Sequence, residues 1–254
     1  MSNYNIFKQL HQESAPLLLG NAWNVASARI LEESGIKAIG TSSSAIADTL
    51  GYEDGEHIPF DELFFIIEKI ARHVRVPLSA DIESGYSKEV ATVIQHIERL
   101  YNIGVVGINL EDSIAAAREL VPTDIFRRKV ETIKNYLVQQ NMDFFLNIRT
   151  DTFLLDIADP LPETFARIHA FEQAGADGIF VPFIKKPEDI RQVTAATSLP
   201  VNVLSMHGLP SFEVLQEAGV KRISMGGSVY RAVYKGLTAT VQEIVHTKSF
   251  NPVF

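Results

Sequence analysis

Six charged residues stand where apolar runs end. Asp81 and Glu83 close LSADIE, Glu111 and Asp112 close VGINLED, and Arg149 and Asp151 close FFLNIRTD. Charged groups at successive strand ends converge on one rim. Carboxylates gathered beside an arginine suit a divalent cation and an anionic substrate, which makes an enzyme the first expectation. Asp81 and Glu83 are two apart, so on a strand they share a face, and a buried like-charge pair needs a cation to stay ionised. Oxygen ligands without cysteine or clustered histidine suit Mg2+ or Mn2+ better than zinc. Glu111 and Asp112 follow the next charged strand end and serve equally well as helix caps. Arg149 can hold a substrate carboxylate in a bidentate grip or pair structurally with Asp151 or Glu111. Ser42, Ser43 and Ser44 precede a helical stretch, where N–H groups bind anions and where serine is also an ordinary N-cap. Trp23 and Asn24 follow the first run, with Trp23 either walling a pocket or simply packing. Asn202 and His207 belong to a later run and its loop, where a lone histidine is commonly idle.

These residues sit in a regular frame. Eight short apolar runs, at 17–21, 38–42, 78–82, 106–111, 144–149, 178–182, 201–204 and 222–226, alternate with amphipathic stretches such as 61–75, 88–102, 123–140 and 162–174. Continuous apolar strands followed by helices predict a parallel sheet buried on both faces. Eight such units in one chain of 254 residues predict a single-domain α/β fold, the (β/α)8 TIM barrel, over 1–254. A weak repeat agrees: ESGIKAIG, NIGVVGINL, QAGADGIFV and EAGVKRISM each place a glycine (Gly35, Gly104, Gly175, Gly219) between a helix and an even-numbered strand. The segments 51–60 and 112–122 are longer than connections require and follow strands on the C-terminal face, where barrel active sites lie.

Composition narrows the function classes. The chain is 46% hydrophobic and 21% charged with no cysteine, which excludes disulfides and thiolate chemistry and fits a reducing, cytoplasmic setting. A formal charge of −8 argues against nucleic acid as partner. The polar start MSNYNIFKQLHQES is unlike a signal peptide, and no apolar run spans a bilayer, so no membrane partner is expected.

The stretches GNAWNVASARI, GTSSSAIADTLGYEDGE, LSADIESGY, VGINLEDS, LNIRTD, PVNVL and ISMGGSVYRA, in this order, resemble the isocitrate lyase/phosphoenolpyruvate mutase superfamily along nearly the whole chain. The resemblance implies a Mg2+-binding barrel acting on small anionic 2-oxo acids or their enolates, assembled as a homo-oligomer, a tetramer or dimer, with a C-terminal helix often exchanged. It implies that Ser42 and the backbone at Ser43 and Ser44 hold the pyruvyl unit. Asp54 then lies near the reacting centre, Asp81, Glu83 and Glu111 form the metal site, Arg149 contacts substrate and Asn202 lines the pocket. The loop EDSIAAARELVP lacks the Lys–Lys–Cys–Gly–His of the lyase branch and offers only Arg118 where the mutase branch has Lys and Asn. The expected activity is therefore a Mg2+-dependent lyase cleaving a C–C bond next to the carbonyl of a 2-oxo or 2-hydroxy carboxylate through a metal-stabilised enolate. The alternatives are C–P bond hydrolysis or phosphonomutase chemistry, and a non-catalytic metabolite-binding barrel.

Overall fold

The computed structural model describes residues 1–114 and 117–254. Its strands are β1 (Leu17–Ala22), β2 (Ile39–Thr41), β3 (Leu78–Asp81), β4 (Gly107–Glu111), β5 (Ser113–Ile114), β6 (Glu119–Leu120), β7 (Phe145–Arg149), β8 (Gly178–Phe180), β9 (Val201–Leu204) and β10 (Arg222–Ser224). The helices are α1 (Asn3–Leu10), α2 (Val25–Glu33), α3 (Ser43–Thr49), α4 (Phe60–Ala71), α5 (Val90–Asn102), α6 (Thr123–Gln139), α7 (Pro160–Gln173), α8 (Pro187–Ala195), α9 (Phe212–Glu217) and α10 (Ser228–Thr247). Eight parallel strands close into a barrel in the order β1-β10-β9-β8-β7-β4-β3-β2, so the expected (β/α)8 architecture is present. All eight expected strands appear in place, β1 one residue longer, β9 with the expected bounds and the other six shorter by one or two residues.

The glycine repeat is a repeat of helix ends. Gly35, Gly104, Gly175 and Gly219 have φ of +87°, +90°, +92° and +85°. At each, the next residue's N–H reaches back to the carbonyl five positions earlier: Ile36 to Leu31, Val105 to Leu100, Ala176 to Phe171 and Val220 to Leu215. That is the Schellman closure, which satisfies carbonyls left over at a helix end and turns the chain toward the next strand. Asn141, at φ +52°, does the same before β7, with Met142 bonded back to Leu137.

Two features depart from simple expectation. The strands are buried on both faces, yet their inward positions are largely polar: Asn21, Ser79, Asn109, Asn147, Asn202, Arg222 and Ser224 are all buried. The apolar filling lies outside the barrel, between strands and helices, and at its N-terminal end. There Phe7 and Leu10 of α1 pack with Leu17, Leu19, Ala38, Val106 and Phe145. The other feature lies in the segment 112–122, where β5 and β6 form a short antiparallel ribbon, with Ile114 opposite Glu119. Ala115 and Ala116 of that segment lie outside the described residues.

Candidate active site

Parallel β-strands in a closed barrel present their C-terminal ends on one face, and the charged strand ends duly meet in one cavity of about 380 Å³. Asp81, Glu83, Glu111, Arg149 and Asp151 line it together with Ser42, Ser43, Ser44 and Asp54. Adjacent strands set the spacing: Glu111 stands beside Arg149, and Asn109 beside both Asn147 and Asp81.

Arg149 makes the structural pairing, and makes it with both acids. Its Nε and Nη2 donate to Asp151 at 2.6 and 3.1 Å, and its Nη1 lies 2.8 Å from Glu111 Oε2. Burial disfavours the guanidinium's charge, but Glu111 and Asp151 outweigh that and hold its pKa above the usual value. Of five N–H donors, three are engaged with the protein and two remain for a ligand. Ser113 Oγ donates to Asp151 Oδ2 at 2.5 Å. Behind this pair, Asp112 accepts from the Asp151 N–H at 3.0 Å and from Arg167 at 2.9 Å, so Asp112 braces the site rather than entering it.

Asp81 is the acid with a carboxylate oxygen left over. Its Oδ2 accepts from Ser43 Oγ at 3.1 Å, while its Oδ1 is buried with no partner. A buried anionic oxygen left unpaired is costly unless a cation fills the gap. Glu83 sits at φ +49° and accepts from Tyr86 OH at 2.7 Å. Among the described residues, no three acidic or histidine side chains form a ready cage for an ion. The reason is visible: Glu111 is taken by Arg149, and Glu83 by Tyr86. Mg2+ keeps several of its waters and needs only one or two protein carboxylates, so this donor set fits it.

The serine segment forms the start of α3. Ser42 caps the helix, accepting from Ala45 N at 3.4 Å and lying 3.2 Å from Ser44 Oγ. The first intrahelical bond runs from Ile46 N to Ser42 O, so the N–H groups of Ser43 and Ser44 precede the ladder. Asp54 lines the mouth of the cavity on the 51–59 connection, which Glu56 ties down by accepting from Ser84 Oγ and Tyr86 N at 2.8 and 2.7 Å. Desolvation raises the Asp54 carboxyl and Arg149 opposes the rise.

Trp23 and Asn202 are not brought into the lining. Trp23 packs edge-on against Tyr230, ring centroids 5.2 Å apart, in the core behind the strands. Asn202 is buried inside the barrel, where its Oδ1 accepts from Ser224 Oγ at 3.1 Å and only Ser224 reaches the cavity. His207 is exposed. The residues overlooked in the sequence are Asn109 and Ser224 on the floor, Arg231 of α10 at the rim, and an apolar wall of Leu154, Leu155, Phe180 and Phe183. The first two were signalled by parity, because Asn109 is two before Glu111 and therefore shares its face.

The pocket is acid-rich and sheltered, and burial raises several of its carboxylates. Burial pushes Glu83 up to about 8, with the Tyr86 hydroxyl opposing in part. Burial likewise raises Asp81 and Glu111, opposed by Arg149. A carboxylate whose native pKa exceeds its unfolded value binds more protons when folded. Stability is then full below the unfolded pKa and lost as pH rises through the native one. Metal-free protein is therefore expected to lose up to a few kcal/mol between about pH 4.5 and pH 8. Urea melts at pH 5 and pH 8 read this directly, and Mg2+ should flatten the loss.

The family profile described as phosphoenolpyruvate phosphomutase matches residues 7–245. The chain belongs to this family. It is 34% identical to an uncharacterized protein of Mycobacterium tuberculosis over 226 residues, 89% of this chain and 83% of that one. It is 25% identical to the phosphoenolpyruvate phosphomutase of Tetrahymena pyriformis, covering 95% of this chain and 83% of that one. The crystal structure of a Burkholderia cenocepacia protein grouped with the phosphonomutases superposes with a TM-score of 0.90 at 36% identity, covering 94% of this chain and 99% of that one. The family is one of enzymes, and matches within it include proteins named 2-methylisocitrate lyase and oxaloacetate decarboxylase. No helix among the described residues is long and apolar enough to cross a membrane.

Proposed function

We propose that this chain is a Mg2+-dependent lyase that cleaves a C–C bond next to the carbonyl of a small 2-oxo or 2-hydroxy carboxylate. The observation that carries this is the unpartnered, buried Oδ1 of Asp81 in a cavity shared with Arg149 and the serines of α3. Asp81 would hold the ion directly, with Glu83 and Glu111 reaching it through its waters. When bound, Mg2+ supplies Lewis-acid stabilisation of the substrate's oxo oxygen. The protein does the rest. The Ser43 and Ser44 N–H groups and the two remaining donors of Arg149 bind and orient the carboxylate. In a 2-oxo acid the electron pair of the bond on the far side of the carbon next to the carbonyl would pass into the 2-oxo group and leave an enolate, the other fragment departing as CO2 or as an aldehyde whose hydroxyl has lost its proton. In a 2-hydroxy acid the hydroxyl would lose its proton and become the oxo group while the electron pair leaves with the other fragment as its enolate. Asp54, at the cavity mouth with a raised pKa, would return a proton to the enolate carbon. The wall of Leu154, Leu155, Phe180 and Phe183 suits a carbon substituent on the departing fragment.

A second reading, chemistry at a C–P bond, is favoured by Arg118 and Arg231. Both line the cavity, and neither forms an ion pair among the described residues. A panel of 2-oxo, 2-hydroxy and phosphono acids assayed with and without Mg2+ separates the readings. Mg2+-dependent release of a 2-oxo acid from a C–C substrate is expected. Phosphate release from phosphonopyruvate would replace the first reading with the second. Binding of oxalate with no turnover on any member would leave a metabolite-binding barrel.

Self-association is part of the proposal. Helix α10 exposes Val233, Tyr234, Leu237, Val241 and Val245, spaced at three or four residues along one stripe. A dimer or tetramer is expected in sedimentation velocity; a monomer at micromolar concentration would remove this part.

A further inference from the structure

Beneath the cavity floor the barrel holds a cation with no acid to match it. Arg222 is 1% exposed. Its side chain leaves β10 and crosses the barrel to β4, four strands away around the closed sheet. There Nη2 donates to Asn109 Oδ1 at 3.1 Å, while Nε donates to Ser224 Oγ at 3.2 Å. Among the described residues no carboxylate lies within ion-pair distance, and Nη1 is buried without a partner. Below it lie the Phe7 ring, 6.0 Å away, and His11, whose Nδ1 bonds to the Phe7 carbonyl at 2.8 Å. Burial pushes His11 down to about 3, so it is neutral and adds no charge. Burial lowers the Arg222 guanidinium to about 9, with the charge of Asp81 opposing, and it stays charged at neutral pH. An unpaired buried charge costs several kcal/mol that an apolar interior layer would avoid.

Its placement explains its retention. Asn109 Oδ1 receives two donors, Arg222 Nη2 and Asn147 Nδ2, the latter at 2.8 Å. Two donors on one oxygen settle which way the amide points, because a flipped amide would face them with its own N–H groups. Asn109 lines the cavity, so its Nδ2 is left as a donor there. We propose that Arg222 is a positioning residue of the active site: it fixes Asn109 with the amide N–H toward the bound anion and holds a positive charge under the substrate. This rests on the metal-and-oxo-acid reading above.

The charge gives the proposal a distinctive signature. A cation under the floor attracts the anionic ligand and repels the metal, so its removal acts on the two in opposite directions. A residue that merely supports the fold would weaken both. The test is calorimetric titration of the full chain with Mg2+ alone, then with oxalate at saturating Mg2+. Failure of the wild-type chain to bind either one would sink the metal-and-oxo-acid reading itself. With wild-type binding established, Arg222→Gln is expected to bind oxalate about tenfold more weakly and Mg2+ as tightly or up to about threefold more tightly. Arg222→Lys restores the charge and should return oxalate affinity to within about threefold of wild type. Unchanged oxalate affinity in Arg222→Gln, or equal weakening of both ligands, would overturn the proposal. If Arg222→Gln does not fold, the isosteric Asn109→Asp decides, since it sets a carboxylate on the guanidinium and turns a donor into an acceptor. At least about tenfold weaker oxalate binding is expected, and wild-type affinity there would overturn the proposal.

Discussion

Arg149→Met is expected to cost the fold about 3–5 kcal/mol and to abolish turnover. Glu111 is 4% exposed and Asp151 fully buried, and Arg149 pairs with both. Removing it leaves two carboxylates a few ångströms apart in a sheltered pocket, each of which must then protonate or repel the other. The loss should shrink at pH 5, where protonation relieves it, and widen at pH 8. The same substitution removes the two guanidinium donors that the protein leaves unengaged, so oxalate binding should vanish along with turnover. Urea denaturation of wild type and variant at both pH values checks the first part. A variant within 1 kcal/mol of wild type at pH 8 would mean that the pairing of this arginine with the two acids contributes little to the fold.

Asp81→Asn should separate metal binding from folding. Its carboxyl is raised by burial and one oxygen has no partner, so without metal the charged form is a burden. The amide removes that burden and keeps an acceptor for Ser43. The metal-free variant is therefore expected to melt at or above the wild-type temperature. Mg2+ at about a hundred times its dissociation constant should stabilise wild type by about 2.7 kcal/mol and leave the variant unmoved. Thermal melts with and without Mg2+ read both effects. A variant that still gains stability from Mg2+ would take Asp81 out of the metal site.

These two residues were legible before the fold was known, and the reason is local. A charge that terminates an apolar run breaks burial where a strand leaves the sheet, so Asp81, Glu111 and Arg149 announced their strand ends by contrast with their neighbours. The helix-end glycines were legible for a similar reason: Gly35, Gly104, Gly175 and Gly219 occupy a left-handed conformation that disfavours other residues, and they punctuate the chain at each return to the barrel. The strand count and the parallel order followed from the alternation alone.

Other features depended on closure. Trp23 follows a strand end just as Ser42 does, yet it turns outward to Tyr230 while Ser42 turns into the cavity. Asn202 and Asn109 look alike as polar residues within apolar runs. Only the stagger of the closed barrel puts Asn109 on the cavity floor and Asn202 beneath it. The bond from Arg222 to Asn109 joins residues 113 apart in the chain and on opposite sides of the barrel. Periodicity along one strand tells which residues share a face, because that is set by bonds a few ångströms long. Which residues meet across the interior is set by how eight strands tilt and close together, and no single run carries that information. The amino-acid sequence by itself determined the barrel and the rim of acids with its arginine. The tertiary structure decided which acids the arginine pairs with, which one keeps a buried oxygen without a partner, and that a guanidinium lies under them.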